Sequence, residues 1–316
     1  MKWMKPGAPL LETDDVMNRK HCLTLDLEEY FQVSAFDSPA RRQQWGSLES
    51  RVESNAAKVL GLLAEKKTRA TFFVLGWIAQ RHPGLVRTIV GEGHEIASHG
   101  YAHELVTSQT PQQFREDVRK TKRLLEDLTG APVNGYRAPS FTVTRETAWA
   151  LAILVEEGYA YDSSIFPIHH DRYGMPEADP LPHRLETPSG SIWEIPPSTV
   201  TIAGVRVPIA GGGYFRIFPY ALLRRCLKKV ESEAQPLVMY LHPWELDPDQ
   251  PRMQGPWLSR FRHYINLDKT TGRFAQLLDE FEFGPVSDVF REELEPGRET
   301  YAPVLSTVPS PGAQAG

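Results

Sequence analysis

Apolar positions in this chain alternate between short buried runs and helical stripes. His21 to Leu27 reads as a strand, and Val52 to Lys66 carries Val52, Ala56, Val59, Leu60 and Leu63 at the spacing of one helix face. Ala70 to Leu75, β-branched and aromatic, predicts a second strand; Trp77 to His82 and, beyond Pro83-Gly84, a stretch to Val90 predict two helices. Glu95 to Ser98 is a short strand. Thr110-Pro111 opens a capped helix through Phe114, Val118, Leu125 and Leu128 that Gly130 closes, Asn134 to Pro139 is a strand end, and Thr144 opens a helix to Gly158. Tyr159 to Asp162, Ile192 to Pro196 and Leu237 to Leu241 continue as strands, with helices at Phe218 to Val230 and Arg273 to Phe281. Strand alternating with helix predicts an α/β fold of parallel strands covered by helices. No glycine-rich phosphate loop marks a dinucleotide crevice, so a (β/α) barrel is predicted over an open sheet.

With 316 residues, 41% of them hydrophobic, the chain can bury a large core. The organisation expected is a flexible leader at 1–20, a main domain at 21–246, an extension packed on the barrel at 247–285 and a disordered tail at 286–316, where proline, serine, glycine and charge replace periodicity. A net charge of -5 without a basic stripe or aromatic-basic interleaving offers nucleic acid no footing. Cys22 and Cys226 are too few for a disulfide framework and read as small buried apolar residues. Neither a secretory nor a membrane-spanning apolar run is present, so a cytoplasmic location is expected.

The chemistry concentrates at predicted strand ends. In Ser98-His99-Gly100-Tyr101-Ala102-His103 two imidazoles four positions apart can converge on one metal ion if the segment turns helically. His94, before the strand, reads as structural. A carboxylate must complete the site, and Asp26-Leu27-Glu28-Glu29 supplies three at the end of the first strand. Strand alternation puts Asp26 and Glu28 on one face, where one can ligate a cation while the other takes a proton; Glu29 reads as the start of a solvated loop. Arg137 follows a short strand and can set its guanidinium against Asp26. His242 ends a strongly apolar strand, the place for a general acid in a barrel. Two imidazoles and a carboxylate with open positions suit zinc, with cobalt or nickel as alternatives.

The ordered segments Thr24-Leu25-Asp26, Ser98 to His103, Gly135-Tyr136-Arg137-Ala138-Pro139-Ser140 and Tyr240-Leu241-His242 resemble the successive motifs of the NodB-homology polysaccharide deacetylases, carbohydrate esterase family 4. More narrowly, Asp26 to Val33, Gly211 to Arg216 and Leu241 to Pro248 resemble the deacetylases found beside exopolysaccharide and exosortase (PEP-CTERM) loci, and the likeness spans about Leu23 to Phe283.

The resemblance implies an irregular barrel of the NodB type and hydrolysis of N-acetyl groups on hexosamine units of a glycan, in exopolysaccharide biosynthesis. It makes Asp26 the catalytic base, His99 and His103 metal ligands, Arg137 the residue that orients the base and His242 the general acid, with the Tyr136 backbone N–H helping to hold the oxyanion. The commonest family motif has adjacent aspartates, whereas Leu27 stands here, so Glu28 becomes the third ligand and Glu29 its alternative. Trp77, Tyr101, Phe141, Trp193, Tyr214 and Trp244 are candidates to stack on sugar rings. The expected partner is an N-acetylated glycan, with peripheral contact to a membrane-linked glycan and no transmembrane segment. The rival readings are a glycosidase drawing both carboxylates from the Asp26 to Glu29 cluster, and a catalytically silent glycan-binding protein.

Overall fold

β1 (His21–Leu27) is buried along its whole length, as a strand flanked by strands and covered by helices must be. The computed structural model describes residues 20–170, 173–233 and 235–295. It sets around β1 the strands β2 (Thr71–Val74), β3 (Glu95–Ser98), β4 (Gly135–Tyr136), β5 (Tyr161–Asp162), β6 (His183–Thr187), β7 (Gly190–Glu194), β8 (Thr199–Ile202), β9 (Val205–Pro208), β10 (Val238–Leu241) and β11 (Phe283–Gly284). Among the described residues the main sheet runs β10-β1-β2-β3-β4-β5-β7-β6, with β11 also pairing β1. Its pairings are parallel except for the β6–β7 hairpin, and β8–β9 is a separate antiparallel ribbon.

The sheet curls until its far side meets β10. Ser198 N donates to Val238 O at 3.1 Å, Val238 N donates to Ser198 Oγ at 2.8 Å, and Gly211 bridges Tyr240. The outcome is the irregular (β/α) barrel expected from the sequence. Gly211 makes the closure possible: its φ is 149°, and a Cβ there would lie 1.6 Å from the Tyr240 carbonyl oxygen. Gly211→Ala must therefore push the strand away, and we expect a loss of about 3 kcal/mol or more in urea unfolding. An unchanged unfolding midpoint would mean that the barrel is not closed through this contact.

The predicted helical stripes are the buried ones. Helix Val52–Glu65 buries Val52, Ala56, Val59, Leu60 and Leu63. Helix Pro111–Thr129 starts on a Thr110/Gln113 capping box and ends at Gly130 with φ 68°, a conformation glycine adopts without a Cβ penalty. Other boundaries differ. The helix expected from Thr144 begins at Trp149, because Thr147 Oγ1 accepts from Thr144 N and donates to Thr142 O, each at 2.8 Å, tying the segment into turns. The extension contributes helices Trp257–Tyr264 and Leu267–Glu280, and it also adds β11 to the main sheet instead of only packing on it.

Part of the expected tail is ordered. Val286–Val289 and Arg291–Leu294 are helical, with Val286, Val289 and Phe290 buried in a cluster with Cys22 of β1. The apolar spacing of three and four was there to see, but it was short enough to be lost beside the uniform composition that follows. The rest of the tail, 296–316, and the leader up to residue 19 lie outside the described residues. Cys22 is buried and Cys226 half-buried, and the two form no disulfide among the described residues. No helix among the described residues is long and apolar enough to cross a membrane.

Candidate active site

The C-terminal ends of β1, β3, β4 and β10 converge, and the singled-out residues arrive there together. Asp26 belongs to β1 and Glu28 lies just beyond it; the chain turns at this point, with Glu28 N donating to Asp26 O at 3.1 Å. His99 directly follows β3. Glu28, His99 and His103 each offer a ligand atom within 4.8 Å of the other two, and all three are buried.

The imidazoles do not converge through a helical turn, as the spacing suggested. Residues 99–103 form an irregular loop in which Gly100 and His103 take left-handed conformations (φ 71° and 52°). Asp117 holds that loop by accepting from Tyr101 N at 3.0 Å. The rings end 5.3 Å apart between centroids.

The donor set suits a divalent cation. His99 Nδ1 donates to the Arg137 carbonyl at 2.8 Å, which leaves Nε2 with its lone pair available. Burial pushes the His99 ring down to about 4, against the pull of Asp26, so the ring is neutral as a ligand must be. Glu28 Oε1 accepts from Trp244 Nε1 at 3.1 Å, while Oε2 lies 2.9 Å from His103 Nε2 yet accepts no hydrogen bond. A buried carboxylate oxygen without a donor, facing imidazole nitrogens, is what a metal would satisfy. Burial alone would raise the Glu28 carboxyl, but His103 and His242 outweigh it and hold the group well below the usual carboxylate range.

Glu29, read from the sequence as the start of a solvated loop or an alternative ligand, is neither. It is fully buried and turned away, accepting from Ser50 Oγ at 2.5 Å and from Arg51 N and Val52 N at the start of helix Val52–Glu65. A carboxylate there satisfies amides that the helix leaves unpaired.

Asp26 and Arg137 meet as expected. The wholly buried guanidinium donates from Nη1 to Asp26 Oδ1 at 2.7 Å and to Thr24 Oγ1 at 2.8 Å, and its Nη2 donates to Ser163 Oγ at 2.9 Å. It also lies 4.1 Å from the centroid of the Phe73 ring. Asp26 Oδ2 is then free to face His242 Nε2 at 3.8 Å, which lies 3.5 Å from Glu28 Oε1. Burial lowers His242, yet Glu28, Glu245 and Asp26 together push it up to about 9, so the ring carries a proton at neutral pH.

Tyr136 does not serve as expected. Ser163 N donates to its carbonyl, so both of its backbone groups point at β5, and the next amide, Arg137 N, points at Ser98 on β3. Its ring packs on Phe114 and Tyr159 in the core. The amide proposed for the oxyanion is thus committed to the sheet. Two of the suggested sugar-stacking aromatics are interior as well: Phe141 packs on Phe166 and Tyr240, and Trp244 lies between His242 and His263. His94 is structural, its Nδ1 accepting from Ala70 N at 3.2 Å.

Sequence reasoning missed the group behind His242. Glu245 Oε1 accepts from His242 Nδ1 at 2.7 Å and from His242 N at 3.0 Å, and Oε2 accepts from Arg216 Nε at 2.6 Å. Arg216 in turn donates to the His263 carbonyl at 2.6 Å. The local signal was the i, i+3 acid of a capping box, with histidine in the place of the usual hydroxyl residue. One short turn, His242 to Glu245, thereby holds the imidazole, the acid that orients it and the indole that orients Glu28.

A second buried acid pair lies deeper. Asp162 and Glu194 are in register on β5 and β7, both wholly buried. Ser164 Oγ bonds Asp162 Oδ1 and Ile165 N donates to Glu194 Oε1 at 3.0 Å, leaving only Asp162 Oδ2 and Glu194 Oε2 without a donor. Burial pushes Asp162 up to about 6, and burial with the neighbouring Asp162 pushes Glu194 well up, so the pair shares a proton. A folded-state carboxyl raised above its unfolded value of about 4 adds stability that is complete below that value and lost as pH rises through the folded one. Glu194→Gln supplies the missing donor permanently. Its Tm is expected to match the parent near pH 4 and to exceed it increasingly toward pH 8; a constant difference across a thermal-melt series would mean that no proton is shared.

Residues 39–159 match the family model described as polysaccharide deacetylase, and residues 163–291 match a domain of unknown function, DUF3473. The chain is 33% identical over 147 residues to a peptidoglycan deacetylase-like protein of Gibberella zeae, covering 46% of this chain and 42% of that protein. It is 36% identical over 90 residues to the peptidoglycan-N-acetylglucosamine deacetylase PgdA of Listeria monocytogenes, covering 28% and 19%. To the peptidoglycan deacetylase of Helicobacter pylori it is 31% identical over 119 residues, covering 38% and 39%. The matched region thus spans less than half the length of these relatives. In fold, a crystal structure from Mycobacterium smegmatis assigned as a polysaccharide deacetylase superposes with a TM-score of 0.60 at 23% identity, covering 96% of this chain and all of that one. The crystal structure of Puue allantoinase superposes with a TM-score of 0.55 at 19% identity, covering 85% and 88%. Part of this chain is thus similar in sequence to polysaccharide deacetylases, and the described fold shares their irregular barrel.

Proposed function

We propose that this protein is a metal-dependent hydrolase that removes N-acetyl groups from hexosamine units of a polysaccharide, with a role in exopolysaccharide biosynthesis. The observation that carries the reading is the buried Glu28-His99-His103 cluster with an acid, Asp26, and a protonated imidazole, His242, beside it. A divalent cation held by Glu28, His99 and His103, zinc being the best fit, would supply Lewis-acid activation of water and polarisation of the acetamide carbonyl.

The remaining work falls to the chain itself. Asp26, oriented by Arg137 through Oδ1, accepts the proton of the attacking water on Oδ2. His242, oriented by Glu245 through Nδ1, holds its proton on Nε2 and delivers it to the departing amine. The narrower kinship with exosortase-locus deacetylases rests on Asp26 to Val33, Gly211 to Arg216 and Leu241 to Pro248, and it supports the exopolysaccharide assignment.

Acetate release from N-acetylated glucosamine oligomers and from acetylated exopolysaccharide tests the proposal, before and after chelation and again after adding zinc, cobalt or nickel. The expected result is release that chelator abolishes and metal restores. Glycan binding without acetate from metal-loaded protein would favour a silent binding protein. Chelator-resistant cleavage with new reducing ends would favour a glycosidase.

A further inference from the structure

Every large hydrophobic side chain left exposed among the described residues lies between Ile202 and Phe261, and the strongest concentration is on one helix. In Trp257–Tyr264, Trp257 is 76%, Leu258 42% and Phe261 51% exposed. Positions i, i+1 and i+4 form a single stripe along a helix. Arg260 and Arg262 border that stripe on either side, and His263 lies opposite it, buried. Both arginines are exposed and neither is paired with a carboxylate among the described residues. The helix packs on Gly212–Ile217, whose last residue is 38% exposed.

We propose that this face docks on an anionic lipid surface. A short helix with Trp, Leu and Phe on one stripe and arginines along its borders has the make-up of a segment that lies in a bilayer interface, apolar side chains inward and cations at the phosphates. A chain with a net charge of -5 is repelled by an anionic bilayer over most of its surface, so attachment is favoured through a face that offers unpaired cations beside apolar groups. A second copy fits less well: in a two-fold contact of this helix with itself the arginines meet no carboxylate, because Trp257–Tyr264 carries none, whereas lipid phosphates neutralise them.

The docked orientation has a consequence for the candidate site. His263, on the inner side of the helix, stacks on Trp244 at 4.2 Å, and Trp244 donates to Glu28. Two side-chain contacts thereby join the docked helix to Glu28 of the candidate site. The docking itself does not depend on the catalytic reading.

Co-sedimentation of the full chain with vesicles of phosphatidylcholine containing phosphatidylglycerol, and with phosphatidylcholine alone, tests it. Expected is binding to the anionic vesicles that weakens at high salt, that falls at least about tenfold in Trp257→Ser/Phe261→Ser and in Arg260→Gln/Arg262→Gln, and that His99→Ala leaves intact. All the substituted docking residues are exposed, so the parent's Tm should be kept, and circular dichroism checks this. Failure of the parent chain to sediment with anionic vesicles, or equal binding by the variants, would overturn the proposal. So would a concentration-dependent dimer that Trp257→Ser/Phe261→Ser dissolves, because it would assign the face to self-association.

Discussion

Asp26→Asn is expected to keep the full metal content of the parent and to lose about 100- to 10,000-fold in turnover, the range that one positioned general base contributes. The amide preserves the acceptor that Arg137 holds, so the local structure persists, and it leaves Glu28, His99 and His103 untouched. What disappears is the one oxygen free to take a proton. His99→Ala should do the opposite in order of cause, losing the metal first and activity as a consequence, because it removes a proposed ligand whose other nitrogen is fixed to the Arg137 carbonyl. Metal analysis by mass spectrometry beside acetate release separates the two. An Asp26→Asn enzyme as active as the parent would take Asp26 out of the mechanism, and an Asp26→Asn protein stripped of metal would make Asp26 a ligand.

That contrast was foreseeable from the sequence because each residue it uses ends a short apolar run. Strand ends in a barrel open on one face, so local pattern brings Asp26, His99, Arg137 and His242 to that face, and the family resemblance gives them their roles. The groups that aim them could not be read in the same way. Glu245 is 29 residues from Arg216, and Trp244 is 216 residues from Glu28; the first pairing follows the bridge of Gly211 to Tyr240 of β10, and the second the pairing of β10 with β1. The path from His99 to His103 was misjudged because period-four spacing describes a helix and a looped turn equally well, and only the left-handed backbone of Gly100 and His103 distinguishes them. Glu29 was misjudged because its use, satisfying the first amides of helix Val52–Glu65, belongs to a segment more than 20 residues away. Tyr136 was given a rim role although its position inside a two-residue strand commits its amide to the neighbouring ladder.

Arg137→Met is expected to destabilise the fold by about 3–5 kcal/mol, the range for removing one member of a buried ion pair. Arg137 is wholly buried, and its donors satisfy Asp26, Thr24 and Ser163 at once, across β1 and the segment after β5. Methionine fills most of the volume, so the loss should come chiefly from the carboxylate of Asp26, left without its hydrogen-bonded guanidinium in a site with almost no water contact. This cause makes a second prediction that packing loss alone does not. Adding Asp26→Asn to Arg137→Met removes the stranded charge, and the double variant should recover at least about 1 kcal/mol relative to Arg137→Met, a non-additivity expected of residues in one buried network. Urea unfolding of the parent, both single variants and the double variant closes the cycle. Strictly additive losses would mean that Arg137 stabilises the barrel through its stem and its bonds to Thr24 and Ser163, and that its pairing with Asp26 serves orientation alone.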